Sequence, residues 1–311
     1  MSDPAEVSSG PSEVFERQMG ADLLPIEVAV VGVANVDIVT RVEHLPQEGQ
    51  TVFGDRLEIL PGGKGLNQAI AVARQGGRAA LVANAGDDPW GRRLLDSLLH
   101  AGVEVSAFQL IADDTTAGVL IQIPASGDSA VTVTRARRTL HSIEDVERAS
   151  ALLAEATVTI VQLELDLPVI ELAVACAAGP VIGMLVPSEP LPRNALERLD
   201  LLVVNAAEAA QIVGGVTPRT AKAARRCAEA LREMGPSSAV VTMGAAGAAY
   251  ASEDEDGFVA APRVEVIDTT GGGDALLGAL ALALSRGASL PQALRLGVLA
   301  GSQAVQSVGA S

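Results

Sequence analysis

Unbroken runs of β-branched and aliphatic residues recur along this chain, each followed by a longer stretch of helical character. VAVVGV leads towards GLNQAIAVARQGG, VTIVQL towards PVIELAVACAAG, LLVV towards AAEAAQIVG, and the rhythm ends in a long helical tail after Gly273. A strand with one wet face alternates polar and apolar residues, so an unbroken run means burial on both faces. Two-sided burial within a strand–helix alternation implies an α/β fold: a mainly parallel sheet in the middle layer, helices on both sides. With 311 residues, 49% of them apolar, the chain has enough material for one large core.

Two stretches break the rhythm. Residues 38–60 (IVTRVEHLPQEGQTVFGDRLEIL) and 115–134 (TTAGVLIQIPASGDSAVTVT) alternate apolar with polar residues around Gly, Pro, Ser and Asp turns. That is the pattern of antiparallel strands with one solvated face, expected here as a small β lid projecting over the carboxyl ends of the parallel strands. Residues 1–25 are rich in Ser, Pro, Gly and acid without sustained periodicity, and are expected to be a flexible extension before a single domain spanning 26–311.

Charge narrows the partners. Lys and Arg total 22 against 38 Asp and Glu, a net charge of −16, and Lys64 and Lys222 are the only lysines. Such a chain is unsuited to neutralising nucleic-acid phosphates or to adhering to an anionic membrane, so neither partner is expected. Two cysteines, Cys176 and Cys227, form no CxxC pair, and no stretch has the length of a membrane span, which reads as a reducing, cytoplasmic setting. His44, His100 and His141 lie in no motif and are expected to be exposed or capping residues.

Two glycine-rich turns run straight into helices. Pro61-Gly62-Gly63-Lys64-Gly65-Leu66-Asn67-Gln68-Ala69 lets backbone approach a ligand closely, with free N–H groups suited to an anion or a polyol; it is not a P-loop, and an ordinary loop before a helix fits it equally well. Asp268-Thr269-Thr270-Gly271-Gly272-Gly273-Asp274 offers a row of unobstructed N–H donors for the charge of a transferring phosphoryl group, and Asp274 follows them where it can take a proton from an attacking hydroxyl. A first-turn carboxylate complementing a helix dipole is the plainer account of an isolated Gly-Asp pair.

Together GGKGLNQA and DTTGGGDALLGA resemble the two signature segments of the phosphofructokinase-B family of sugar and nucleoside kinases, and within it the ribokinases. The resemblance runs from about Val28 to the last residue. It implies a ribokinase-like three-layer α/β/α domain. It implies that Asn35 and Asp37, with Gly62, Gly63, Lys64, Asn67 and Glu164, hold the sugar hydroxyls. Asn205 and Glu208 match the element that organises hydrated Mg²⁺ and phosphates, although an Asn at a helix start with Glu three residues on is also a capping box. Thr242, Gly244, Gly247 and Gly273 match the nucleotide lining, and Asp268, Thr270, Ala304, Ser307 and Gly309 a monovalent-cation loop pair, expected to take K⁺.

The reaction implied is ATP-dependent phosphorylation of D-ribose at its 5-hydroxyl, with Asp274 as general base and the backbone of Gly271 to Gly273 as anion hole, in a homodimer clasped through the lid strands. Three segments depart from the ribokinase pattern. Thr134-Arg135-Ala136-Arg137-Arg138 is unusually basic, Val186-Pro187 stands where an Asn-Pro pair is usual, and the text stops at Ser311, before a residue that normally completes the cation loop. Another sugar, a sugar acid or a nucleoside is therefore the alternative substrate, and a silent sugar-binding regulator the alternative class; an intact Asp274 and triple glycine speak against the latter. A dinucleotide-binding oxidoreductase is excluded at VVGVANVD, which lacks GxGxxG.

Overall fold

The structure, a computed structural model, describes residues 25–126, 129–134, 141–184 and 192–307. Residues 1–24 of the expected N-terminal extension, Arg135 to Arg138, Val186-Pro187 and Gly309 lie outside the described residues. The strands are β1 (Val28–Val31), β2 (Asn35–Val42), β3 (Gly54–Gly62), β4 (Ala79–Gly86), β5 (Phe108–Ile111), β6 (Gly118–Pro124), β7 (Ala130–Val133), β8 (Val158–Gln162), β9 (Val181–Met184), β10 (Leu201–Asn205), β11 (Ser238–Thr242), β12 (Gly247–Ala251) and β13 (Asp256–Ala260). The helices are α1 (Lys64–Arg74), α2 (Pro89–Ala101), α3 (Ile143–Arg148), α4 (Ser150–Glu155), α5 (Leu167–Cys176), α6 (Arg193–Leu196), α7 (Ala206–Val213), α8 (Ala221–Glu233), α9 (Gly272–Ser285) and α10 (Leu290–Ala304).

The main sheet runs β13-β12-β11-β10-β9-β8-β1-β4-β5. Every pairing from β11 to β5 is parallel, and β12 and β13 close one edge as antiparallel strands. Alternate residues of each run serve opposite faces. Val28 and Val30 of β1 join Leu66, Ile70, Leu94, Leu98, Leu277 and Leu294, so α1, α2, α9 and α10 form one outer layer. Ala29 and Val31 join Val146, Leu153, Ile170, Ala209, Ala228 and Leu231, so α3, α4, α5, α7 and α8 form the other. This is the three-layer α/β/α architecture expected from the unbroken runs.

The chain leaves β1 to build β4 and β5 on one side, then returns to lay β8 on the other. Strand order thus reverses between β1 and β8, the place where open α/β sheets bind ligands beyond the carboxyl ends of their strands.

The smaller sheet, ordered β3-β2-β6-β7, comes from the two stretches that broke the rhythm. Each stretch is an antiparallel hairpin, but β2 and β6 pair in parallel, which alternation alone does not reveal. The direction is topological: β2 follows β1 and β6 follows β5, both parallel strands of the main sheet flanking β4, and the two continuations enter the small sheet pointing the same way. Asp88, N-cap of α2, accepts from Trp90 N and Gly91 N and also from the backbone and hydroxyl of Thr116, which ties the second hairpin to the main domain.

His141 departs from expectation, being buried rather than exposed or capping: its Nε2 donates to the Val82 carbonyl at 2.6 Å, and burial holds its pKa below the usual value, keeping it neutral. Both cysteines are free thiols, and no described helix is long and apolar enough to cross a membrane.

Candidate active site

Three residues, Gly32 to Ala34, carry the chain from β1 into β2. The N-terminus of α1 docks on them, with Gly65 N and Leu66 N both donating to the Val33 carbonyl. Gly63 precedes that helix at φ +94°, and a Cβ there would strike Val33 and Ala34 backbone, so the turn needs glycine for its conformation and its closeness alike. Asn35 pairs in register with Gly62, and Asn35 Nδ2 donates to Asp37 Oδ1 at 2.6 Å. Any side chain at Gly62 would occupy the space of the Asp37 carboxylate. Sugar-site candidates from the first lid hairpin and from GGKGLNQA are thereby brought together by one crossing.

Asp274 reaches the same place from α9. It lies in the first turn but does not cap its own helix: Gln68 Nε2 donates to Oδ1 at 2.9 Å and Asn67 Nδ2 lies 3.4 Å from Oδ2. The dipole-complementing account is therefore incomplete, since the side chain is spent on α1. Burial pushes the Asp274 carboxyl up to about 6, with Glu164 adding to the rise and the Gln68 and Asn67 hydrogen bonds and the Lys64 charge opposing it. Burial also raises Asp37, Glu164 and Glu208, and in each the charge of Lys64 works the other way. One half-buried ammonium thus serves four desolvated carboxyls.

Two acceptors in this group lack a partner. Asn67 Oδ1 and Glu164 Oε1 are buried without a hydrogen bond among the described residues. Leaving such an atom unpaired costs roughly 1–3 kcal/mol, which a ligand's hydroxyl group would recover.

The three glycines before Asp274 have three separate reasons. Gly271 is the helix N-cap at φ +75°, in the left-handed region. A Cβ on Gly272 would press on Val305 of the following helix end, whereas one on Gly273 would meet nothing within 4 Å. The α9 N-terminus has no side-chain cap, so donors and open space coincide at Gly273, as an anion hole requires.

Asn205 ends β10 opposite Thr242 of β11, which brings the NxxE element beside the VTMG loop. The capping box is fully formed: Asn205 Oδ1 accepts from Ala207 N and Glu208 N, and Glu208 Oε2 accepts from Asn205 N. This uses one oxygen of Glu208, and a hard oxygen donor suits Mg²⁺ that keeps its water. Among the described residues no three His, Cys, Asp or Glu side chains gather as a metal cage, so a magnesium ion here would be held mainly through water and phosphate. Gly244 has φ +54° with open space beside it, while Gly247 is required by contact with β13 backbone.

Segments 267–270 and 304–307 are stitched together where Ile267 N and Asp268 N donate to the Val305 carbonyl. Asp268 Oδ1 accepts from Thr270 N and Oγ1, and Ser307 Oγ donates to the Ala304 carbonyl. The oxygen-only donors of this pair fit a hard monovalent cation.

Two polar residues that motif reading passed over complete the site. Gln68 sits within GGKGLNQA, and Gln162 is the last residue of β8; both are fully buried. The available signal was a glutamine ending a strand buried on both faces, a position that demands a partner.

A buried carboxylate beside an uncapped, glycine-lined helix N-terminus, at the switch point of an α/β sheet with a small sheet attached, is an arrangement suited to a phosphotransferase acting on a hydroxyl group. Residues 25–311 match the model of the pfkB family carbohydrate kinases. The chain belongs to that family and is an ATP-dependent sugar kinase. It is 27% identical to the ribokinase of Haemophilus influenzae, covering 91% of this chain and 93% of that protein. It is 28% identical to the deoxyribokinase of Salmonella typhi, covering 91% and 94%. The solved structure of Arabidopsis thaliana ribokinase complexed with ribose and ATP matches with a TM-score of 0.80 at 26% identity, covering 92% of this chain and 94% of that one.

Proposed function

We propose that this sugar kinase transfers the γ-phosphoryl group of ATP to the 5-hydroxyl of D-ribose. The observation that carries the reading is the pair of buried, unpartnered acceptors, Asn67 Oδ1 and Glu164 Oε1, beside the Asn35–Asp37 pair and Asp274. Such a set suits several hydroxyl donors at fixed geometry and offers no aromatic platform for a nucleobase. The relatives named as ribokinases, and the one whose structure holds ribose and ATP, support ribose. The deoxyribokinase, at 28% identity, makes 2-deoxyribose the nearest rival.

Asp274 takes the hydroxyl proton as the sugar oxygen forms its bond to the γ-phosphorus; the bond from phosphorus to the bridging oxygen breaks, and its electron pair leaves with ADP. The N–H groups at Gly271 to Gly273 stabilise the charge on the transferring group. Asn205 and Glu208 would hold hydrated Mg²⁺, which when bound offsets phosphate charge; the 268–270 and 304–307 segments would hold K⁺, whose charge supports the anion hole. The lid keeps water from competing with the sugar. Its face that carries Asp37 also carries Val119 and Val133 in register, with Val131 and Val133 exposed, and this apolar continuation supports a homodimer through the lids.

The test is ADP release with D-ribose, 2-deoxyribose, fructose, 2-keto-3-deoxygluconate and adenosine. Ribose is expected to lead. A preference of about tenfold or more in kcat/KM for another acceptor, roughly 1.4 kcal/mol of transition-state discrimination, overturns the assignment.

A further inference from the structure

We propose that Gln162 and Gln68 form a one-way hydrogen-bond relay from the β1–β2 crossing to Asp274, holding Oδ1 and leaving Oδ2 as the atom that receives the substrate proton. The proposal rests on the base role given to Asp274 above. Its links are Val33 N to Gln162 Oε1 at 2.8 Å, Gln162 Nε2 to Gln68 Oε1 at 3.4 Å, and Gln68 Nε2 to Asp274 Oδ1 at 2.9 Å.

The direction follows from the ends. A glutamine amide can turn over and exchange its oxygen with its nitrogen, so its orientation is set by what surrounds it. Val33 N–H can only donate, which fixes the oxygen of Gln162 towards the crossing and its nitrogen towards Gln68. Gln68 must then present its oxygen to Gln162 and its nitrogen to Asp274. Its nitrogen also lies 2.9 Å from Met184 Sδ, an acceptor that favours the same orientation. An ionised carboxylate is an acceptor only, and the chain ends on one.

Both glutamines are fully buried, where an unpaired amide is costly, so each link supports the next. Gly32 belongs to the device: a Cβ there would run into the Gln162 amide. Asn67, the other neighbour, donates to Oδ2 at 3.4 Å, the same length as the Gln162–Gln68 link, and this takes one of that oxygen's lone pairs while the other remains for the substrate proton. The charged groups facing Asp274 are Lys64 on α1 and Glu164 after β8, and neither is part of the relay. Because Gln68 stabilises the charged carboxylate, its loss raises the base pKa and moves the acid limb of kcat upward.

The experiment is the pH profile of kcat for the parent chain, Q68M, Q162M and the double variant, with thermal melts as a folding control. Methionine keeps the length of the side chain and removes the amide. Each single variant is expected to move the acid limb up by about one pH unit, a loss of about tenfold in turnover below the limb that fades above it. The double variant is expected to go no further than Q68M. If Q162M does not fold, Gly32→Ala, which displaces the Gln162 amide, is expected to give the same shift. A limb that stays in place in Q162M or Gly32→Ala, or additive losses without a shift, overturns the relay. Retained turnover in Asp274→Asn overturns the base reading instead, so the two failures are distinct.

Discussion

Replacing Asp274 by Asn separates what the carboxylate does for turnover from what it costs the fold. An exposed aspartate titrates near about 4, whereas burial holds Asp274 at about 6. Below about pH 4 both folded and unfolded chains carry the proton, and the group is neutral to stability. Between the two values the unfolded chain releases its proton first, and above the higher one the fold bears a buried carboxylate at full cost. Two pH units at about 1.4 kcal/mol each make roughly 3 kcal/mol. Asparagine has the same shape and never ionises. The hydrogen bonds that Gln68 and Asn67 donate to the carboxylate are already contained in the value of about 6, so they are not subtracted again. The variant should therefore exceed its parent by roughly 3 kcal/mol at pH 8 and come close to it near pH 4, where the protonated Asp, like Asn, is neutral. Turnover should fall by about 10²–10⁴. Urea unfolding across this pH range, alongside a coupled ADP-release assay, reads both. A variant no more stable than the parent at pH 8 refutes the electrostatic account, and turnover within about tenfold of the parent refutes the base.

Asp37→Ala should raise the sugar KM by about tenfold or more while the ATP KM stays within about twofold, as initial rates with each substrate varied will show. Gly273→Ala should melt like the parent yet lose most turnover, because its Cβ meets no atom of the described residues within 4 Å and enters the proposed anion hole, whereas Gly272→Ala should lower the melting temperature through its clash with Val305. Glu208→Gln should leave the sugar KM unchanged and raise the Mg²⁺ concentration for half-maximal rate several-fold in a magnesium titration.

The main sheet was legible because two-sided burial leaves a plain mark: VAVV, VTIV and LLVV contain almost no polar residue. The lid hairpins were legible through alternation, but the parallel pairing of β2 with β6 joins residues such as Val36 and Gly118 that no local pattern connects. The two glycine turns were readable as sites, yet their glycines look alike in sequence; only the structure separates the φ of Gly271 from the packing of Gly272 and the open space at Gly273. Gln68 and Gln162 were missed for a related reason. Their partners, Asp274 and Val33, lie far along the chain; a glutamine in a helix carries no pattern of its own, and one ending a buried strand shows that a partner is needed without showing which. His141 reads as a surface residue until β4 is seen to accept its ring N–H.

Lys64 opens α1 amid four carboxyls, and only Lys222, on α8, shares its chemistry among side chains. Amine-directed reagents, which scatter over the surface of most proteins, here find a single side-chain target at the cleft and one elsewhere. Acylation of Lys64 blocked by sugar or nucleotide would report occupancy of the cleft directly, with the exposed Lys222 as a built-in reference, and a fluorescent form labelled through lysine would carry its dye either at the cleft or on α8.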